Sequence, residues 1–468
     1  MNQEILNQIE RIKTKLISAK NADQYLKVFG ADSHKYIVGK TLTVAEISQF
    51  EKNFDIELPE SYKAFLQHIG NGGVSYDSSC AGPFYGIYPL GKNINELFDE
   101  TLGHLKAKCI LFPNMSDEYW DNLTKAIDED DISDDNYELE LGKIFSGILP
   151  LGSQGCSYIH GLVLNGEFKG KVVNIDIDRQ KPKFTFEATF LDWYERWLDE
   201  IISGDLIIDT PSWFGYGMGG TAKDLLQSYF SAQEFNAKKD CLNAILKKAN
   251  LDIEILNKIE EQYQLSSGEL KEIFLQIMTK FDYERAYDYL VTYTKENLLV
   301  VLQFVFWYAK DKSADWLETI ELNIGKINNE ETFRFCTYLL KEIDMDFGYL
   351  IVPFASYENE NIRVSAFYTL GQLKNKAEYL DTFVLGLNDK SNTVINTTLQ
   401  ALQNIIDKKL LVHYKNIAEQ FPVEQDYILV NLNHRLKDYN LSNTSILNID
   451  IENFENSSQK EKKKWFRF

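Results

Sequence analysis

An α+β domain built on an antiparallel sheet, followed by an all-α helical-repeat domain, is the fold class this sequence predicts. Three observations predict it. Hydrophobic residues recur at helical spacing in the opening segments, and the period switches to two from Ile148. From Asp224 to about Asp438 the chain then reads as helix, short polar turn, helix. A length of 468 residues suffices for two or three cores. The expected divisions are 1–205 for the α+β domain, 206–222 for a Gly-rich linker, 223–440 for the helical repeats and 441–468 for a polar tail.

Each element has its own signal. Ile5, Ile9, Ile12 and Leu16 predict an amphipathic helix over residues 2–18. Thr43 and Glu46 fit a capping box that opens a second helix, with Ile47 and Phe50 on one face and its end near Asn53. In LPESYKAFLQHIGNGG, Pro59 suits the first helical turn, and Tyr62, Phe65, Leu66 and Ile69 form one stripe. Gly70, Gly72 and Gly73 there permit a left-handed exit. A short helical pattern surrounds Ile94 to Leu105. SYIHGLVLNGEFKGKVVNIDID reads as two strands around an Asn165-Gly166 turn, and KFTFEATF as a third. Thr189 caps a closing helix whose buried side carries Phe190, Trp193, Tyr194, Trp197 and Ile201.

Trp213, Phe214 and Tyr216 lie in the Gly-rich linker and are expected to wedge between the two halves. Beyond them, Ile362, Phe367, Leu370 and Leu373 superpose on Val394, Leu399, Leu402 and Ile405 with a shift of 32, the signature of stacked helix pairs. The earlier helices, Leu298 to Tyr308 and Thr332 to Leu340, show no clear period.

Charge and cysteine usage narrow the function classes. With 49 Lys+Arg against 70 Asp+Glu, the net charge of -21 disfavours direct nucleic-acid binding, which needs a basic surface, and suits a basic partner. Five scattered cysteines without a CxxC pair argue against a disulfide scaffold or zinc site and read as reduced core thiols. The N-terminus lacks an apolar signal core, and nothing approaches a membrane span, so a cytoplasmic protein without membrane contact is expected.

The segment LPESYKAFLQHIGNGG, followed by ILPLGSQGCSYIHGLVLNGEFKGKVVNIDID and then ATFLDWYERWLDEI, resembles the SUKH superfamily, the Smi/Knr family. The residues that carry the resemblance are Leu58, Pro59, Tyr62, Phe65, Asn71, Gly72 and Gly73, then Gly152 and Gly155, Asp176, and Phe190, Trp193 and Trp197. They span about residues 40 to 203. The resemblance implies an α+β fold and, for bacterial members, an immunity function: binding a cognate polymorphic toxin, often a nuclease, and blocking it. Fungal members look like regulators of cell-wall synthesis. The long C-terminal half departs from the family and resembles HEAT-like repeats, whose curved surfaces hold protein ligands.

Candidate chemistry is sparse. The acidic stretch carries Asp117, Glu118, Asp121, Asp128, Glu129, Asp130, Asp131, Asp134 and Asp135, then Glu138 and Glu140, against the single Lys125. It reads as a partner-binding polyanion for the basic groove of a nuclease, or as a solvated loop. A calcium loop is disfavoured because the central Gly and the ligand spacing are missing. Gly215, Gly217 and Gly220 spell G-x-G-x-x-G with Asp240 downstream, but no βαβ unit surrounds them, so they read as linker. Cys156 and His160 could share a strand face as a thiol-imidazole pair, and Asp176 and Asp178 could bind a metal. Packing or facing solvent is the expected role for Cys156 and His160, and a surface or turn-capping carboxylate for Asp176 and Asp178.

No cofactor, metal or catalytic set is therefore expected. The expected function is that of an immunity protein which neutralises a basic protein toxin by stoichiometric binding. The alternative is a non-enzymatic scaffold whose repeats bind a housekeeping protein.

Overall fold

The computed structural model describes residues 3–99, 103–128, 132–178, 180–208, 213–421 and 426–454. Two compact units emerge, Met1–Ile277 and Met278–Phe468.

In the first unit, helices α1 (Gln3–Ala22), α2 (Val44–Phe54) and α3 (Glu60–His68) precede α4 (Asp117–Thr124) and α5 (Asp134–Ile144). Four strands follow, β1 (Ile148–Gly155), β2 (Tyr158–Val163), β3 (Val172–Asp176) and β4 (Lys183–Phe184), paired antiparallel in that order, and α6 (Phe190–Ile202) closes the region. Helices α7 (Ala222–Ser231), α8 (Phe235–Leu246) and α9 (Ile253–Leu265) belong to the same unit. Helix α10 (Gly268–Phe281) contains the division between the units.

Local chemistry accounts for the boundaries. Both arms of the Thr43–Glu46 capping box form, and an equivalent box joins Thr189 to Asp192 at the start of α6. The Pro59 carbonyl accepts from Tyr62 and Lys63, starting α3 without the amide that proline lacks. Tyr62, Phe65 and Leu66 are buried, and Tyr62 and Phe65 meet the Phe190 ring edge-on at 5.0 and 5.2 Å. Along the opposite side of α6, Arg11 forks onto Glu195 (2.9 and 3.0 Å), Lys15 reaches Glu195 and Asp199, and Gln8 donates to Asp192, which fastens α1 to α6.

Several expectations need correction. The sheet has a fourth strand, β1, which precedes the predicted three. Pro150, Gly152 and Gly155 obscure its alternation, and its pairing with β2 shifts register between Pro150 and Gly152 and again between Ser153 and Gly155. Asn165-Gly166 is not a two-residue hairpin turn but part of the longer connection between Val163 and Val172, where the Asn165 side chain bonds Cys109 N and Ala107 O. The third predicted strand shortens to Lys183–Phe184. Ile94–Leu105 shows no helix among its described residues. Gly91, Asn93 and Gly103 all have positive φ, which breaks helical geometry, while Leu97, Phe98 and Leu105 are buried one by one. Of Gly70, Gly72 and Gly73 at the exit of α3, only Gly72 is left-handed (φ 67).

The second unit comprises helices α11 (Tyr283–Tyr293), α12 (Leu298–Tyr308), α13 (Leu317–Ile324), α14 (Glu330–Lys341), α15 (Glu360–Gly371), α16 (Leu380–Leu387), α17 (Asn392–Ala401), α18 (Leu410–Gln420) and α19 (Asp426–Lys437), with 3-10 segments and the short helix Gly348–Ile351 between. Helices α12, α14, α15, α17 and α19 pack each on the next, while Val352–Ser356, α16 and α18 pack likewise as a second layer. This is the stacking of a helical-repeat region. Asn297, Asn329, Asn359 and Ser391 cap four successive helices of the first layer.

Polar bonds step from repeat to repeat, as in Tyr283 to Asp315, Gln303 to Glu331, Lys374 to Asp344 and Asn431 to Asn396. The eight residues that superpose with a shift of 32 are all buried. Within the expected tail, residues 441–454 are held: Ile446 is buried, and Lys408 and Lys415 donate to the carbonyls of Glu452 and Ile449. Residues 455–468 lie outside the described residues.

Candidate functional site

Strands β1, β2 and β3 converge three polar side chains on a buried spot. Gly152 of β1 and Asn174 of β3 both pair with His160 of β2, and Gln154 lies two residues beyond Gly152. The Gln154 amide nitrogen donates to Asn174 Oδ1 (2.9 Å) and to the Ile159 carbonyl (3.2 Å). His160 Nδ1 lies 3.1 Å from both Gln154 Nε2 and Asn174 Oδ1. The linker closes this spot: Tyr216 OH donates to Gln154 Oε1 (3.0 Å), Asn174 Nδ2 to the Gly215 carbonyl (3.4 Å), and Phe214 packs on Trp193 (5.9 Å) and under the Arg196 guanidinium. Of the expected linker aromatics, Phe214 and Tyr216 thus pack against residues of the sheet and α6, while Trp213 is half-exposed.

The electrostatics of the cluster favour holding over proton transfer. Burial drives the His160 pKa down to about 3, so the imidazole is neutral. Its Nε2, and the Nε1 of Trp193 whose ring meets it edge-on at 4.9 Å, lack a hydrogen-bond partner among the described residues. The paired Cys156 is exposed, at the β1–β2 turn, whereas His160 is fully buried. Cys156 therefore departs from the expectation of core thiols; Cys80, Cys109, Cys241 and Cys336 are buried, and burial pushes the Cys80 and Cys336 thiols up to about 12.

The family-type residues do structural work. Leu58 is buried and its amide donates to Glu51, and Gly72 and Gly73 allow the chain to run against residues 37–39 and 78–80. Gly152 faces the Gly86 carbonyl, and Trp193 fills the core. Asp176 is buried at the end of β3 and accepts from the Asp178 amide, a turn-capping bond, while Asp178 is exposed. Among the described residues, no three His, Cys, Asp or Glu converge as metal ligands. The G-x-G-x-x-G segment precedes α7 but follows the short helix Asp205–Ile208 and residues 209–212, which lie outside the described residues, rather than a described strand.

Two helices, α4 and α5, carry part of the acidic stretch, and residues 125–128 form a turn after α4. Asp117 and Glu118 occupy the first turn of α4, and Asp134 and Asp135 that of α5, where carboxylates complement the helix dipole. Trp120 and Thr124 face inward, leaving Asp117, Glu118, Asp121, Asp128, Asp134 and Asp135 exposed. Lys181 bonds Asp117 (2.5 Å). Glu129, Asp130 and Asp131 lie outside the described residues.

Sequence reasoning missed Gln154, Asn174 and Tyr216 as one cluster. The available signal was a polar Asn174 inside the otherwise apolar run VVNI.

The order of elements, the Gly-permitted close approaches and the aromatic closing helix point to one family. Residues 41–196 match the SMI1 / KNR4 family (SUKH-1). This SUKH-1 region covers α2 through most of α6; α1, the linker and all later helices lie outside it. The SUKH-1 family includes immunity proteins and is generally non-enzymatic, and its members typically bind protein toxins. Comparison with curated proteins and with solved structures yields no match. Among the described residues, no helix is long and apolar enough to cross a membrane.

Proposed function

We propose that this chain is an immunity-type protein that neutralises a cognate, basic protein toxin in the cytoplasm by stoichiometric binding, without transforming a substrate. The match of residues 41–196 to SUKH-1 carries the reading. The exposed acids of α4 and α5, with Glu129, Asp130 and Asp131 between them in sequence, supply the contact surface, because a carboxylate-rich face imitates the phosphates that occupy a nuclease groove. The buried, hydrogen-bonded state of His160 supports a binding role rather than a chemical one.

Coexpression with the toxin encoded beside the gene tests the proposal. Growth rescue and a copurifying complex are expected, and neither outcome with any neighbouring toxin rejects it. Replacing Asp117, Glu118, Asp121, Asp134 and Asp135 by their amides should slow association and flatten its salt dependence. An unchanged association rate would move the contact elsewhere.

A further inference from the structure

The second unit has a face its own core does not use. Helix α12, LLVVLQFVFWY, is apolar almost throughout. Val301, Leu302, Phe304 and Val305 fill the interior, while Trp307 remains 50% exposed and Phe306 half-buried. The next helix of the layer, α14, adds Phe335 and Tyr338, and α15 adds Tyr368, which is 53% exposed. The rings form a continuous surface: Trp307 to Phe335 is 6.1 Å, Phe306 to Phe335 5.7 Å and Phe306 to Tyr338 5.3 Å.

Cations are interleaved with the rings. The Arg334 guanidinium donates to Tyr338 OH, and Lys341 Nζ sits between two rings, 5.9 Å from Tyr338 and 4.7 Å from Tyr368. Lys310 lies over Phe306 and is paired with Glu342. Lys341 has no carboxylate within ion-pair distance among the described residues. Beside it opens a groove of ≈ 390 Å³ lined by Lys341, Met345, Phe347 and Leu373. Three carboxylates also line it: Glu342 pairs with Lys310 and Asp344 with Lys374, while Asp346 stays ionised and accepts from Tyr379 and Asn375. Burial without a compensating carboxylate holds the Lys341 ammonium below its ordinary pKa, so an arriving anion would relieve a desolvated charge.

We propose that this aromatic and cationic face binds an extended acidic segment of a partner protein, with apolar side chains on the rings of Phe306, Tyr338 and Tyr368 and a carboxylate on Lys341. Helices pack about 8–10 Å apart, and a polyproline-II strand returns to the same face every third residue after about 9 Å, so one ligand side chain meets each helix. Arg and aromatic side chains are the composition of energetic interface centres. Negative charges farther than about 8 Å from Lys341 act weakly here, since they are screened at physiological ionic strength.

The test is selection of a random dodecapeptide phage library on the full-length protein, followed by fluorescence anisotropy of the enriched peptide. We expect sequences combining Asp or Glu with apolar residues three apart. Lys341→Glu should weaken binding at least tenfold, and Lys341→Met, which keeps the buried stem, severalfold, while rescue from a toxin through the acidic face is unchanged. No enrichment, enrichment of basic peptides, indifference to both Lys341 variants, or displacement of the peptide by a dodecathymidine oligonucleotide would each overturn the proposal.

Discussion

Arg363 and Asp389 form a two-pronged buried ion pair in the second unit, with contacts of 2.8 and 2.9 Å and both side chains almost fully covered. The remaining guanidinium nitrogen donates to the carbonyls of Tyr357 and Glu358, so the pair ties α15 to the turn before it and to the loop that starts α17. Removing one partner strands the other in a desolvated place. Asp389→Ala should therefore cost about 3–5 kcal/mol, read as a lowered urea midpoint of the full chain. Breaking an exposed pair such as Lys374 with Asp344 should leave the midpoint nearly unchanged.

The neutral state of His160 has a pH consequence. Its folded pKa, lowered by burial to about 3, lies below the unfolded value, so the unfolded chain takes up the proton first as pH falls. Stability from this group is complete above pH ~6.5 and is lost as pH falls from there toward 3. His34, lowered by burial to about 4, acts in the same direction. Between pH 7 and 5 each histidine should remove about 1–2 kcal/mol. His160→Gln should flatten the denaturation free energy against pH over that interval; an unaltered slope would mean that His160 is accessible to protons in the native state.

Glu195 predicts a loss in the same direction, set at lower pH. Burial pushes its pKa up, but bonds from Arg11, Lys15 and Gln8 outweigh this and hold it below the ordinary value. A depressed carboxylate contributes stability above the unfolded value of about 4.3, and that contribution fades as pH falls through the folded one. The stability gap between the parent and Glu195→Gln should thus be constant near neutrality and narrow below pH ~4. A gap independent of pH would assign the effect of the substitution to packing.

What could be read in advance follows from how local each cause is. The Thr43 and Thr189 caps, the stripes on α3 and α6 and the matching repeats of α15 and α17 depend on residues within a turn or two, and these are as expected. Strand β1 was hidden because its glycines answer to a distant segment, the chain around Gly86, and not to their neighbours in sequence. The early repeats were hidden because residue type varies at equivalent positions, as at Val301, Phe333 and Arg363, each four residues after its cap, while their period survives in the caps at Asn297, Asn329, Asn359 and Ser391. The polar cluster needed Gln154, His160, Asn174 and Tyr216 to meet across two strand pairings and a linker, a convergence that no single-segment pattern encodes.

The same distant dependence yields a sharp steric prediction at Gly152. Residues 85–88 run beside β1, with Tyr85 N bonded to the Ser153 carbonyl and Tyr88 N to that of Leu151, so the Gly86 carbonyl is driven against the Gly152 Cα. A Cβ at position 152 would lie 2.1 Å from that oxygen, which is backbone and has no rotamer to escape into. Gly152→Ala must then break the bonds between the two segments, an effect above the roughly 4–5 kcal/mol that marks exceptional substitutions, and should abolish soluble expression. Gly166 is the control, since its positive φ of 78 makes alanine strained but its nearest neighbour stands 3.7 Å away. Gly166→Ala should cost only about 1–2 kcal/mol, and equal urea midpoints for the two variants would show that β1 and the Gly86 segment are not in close approach.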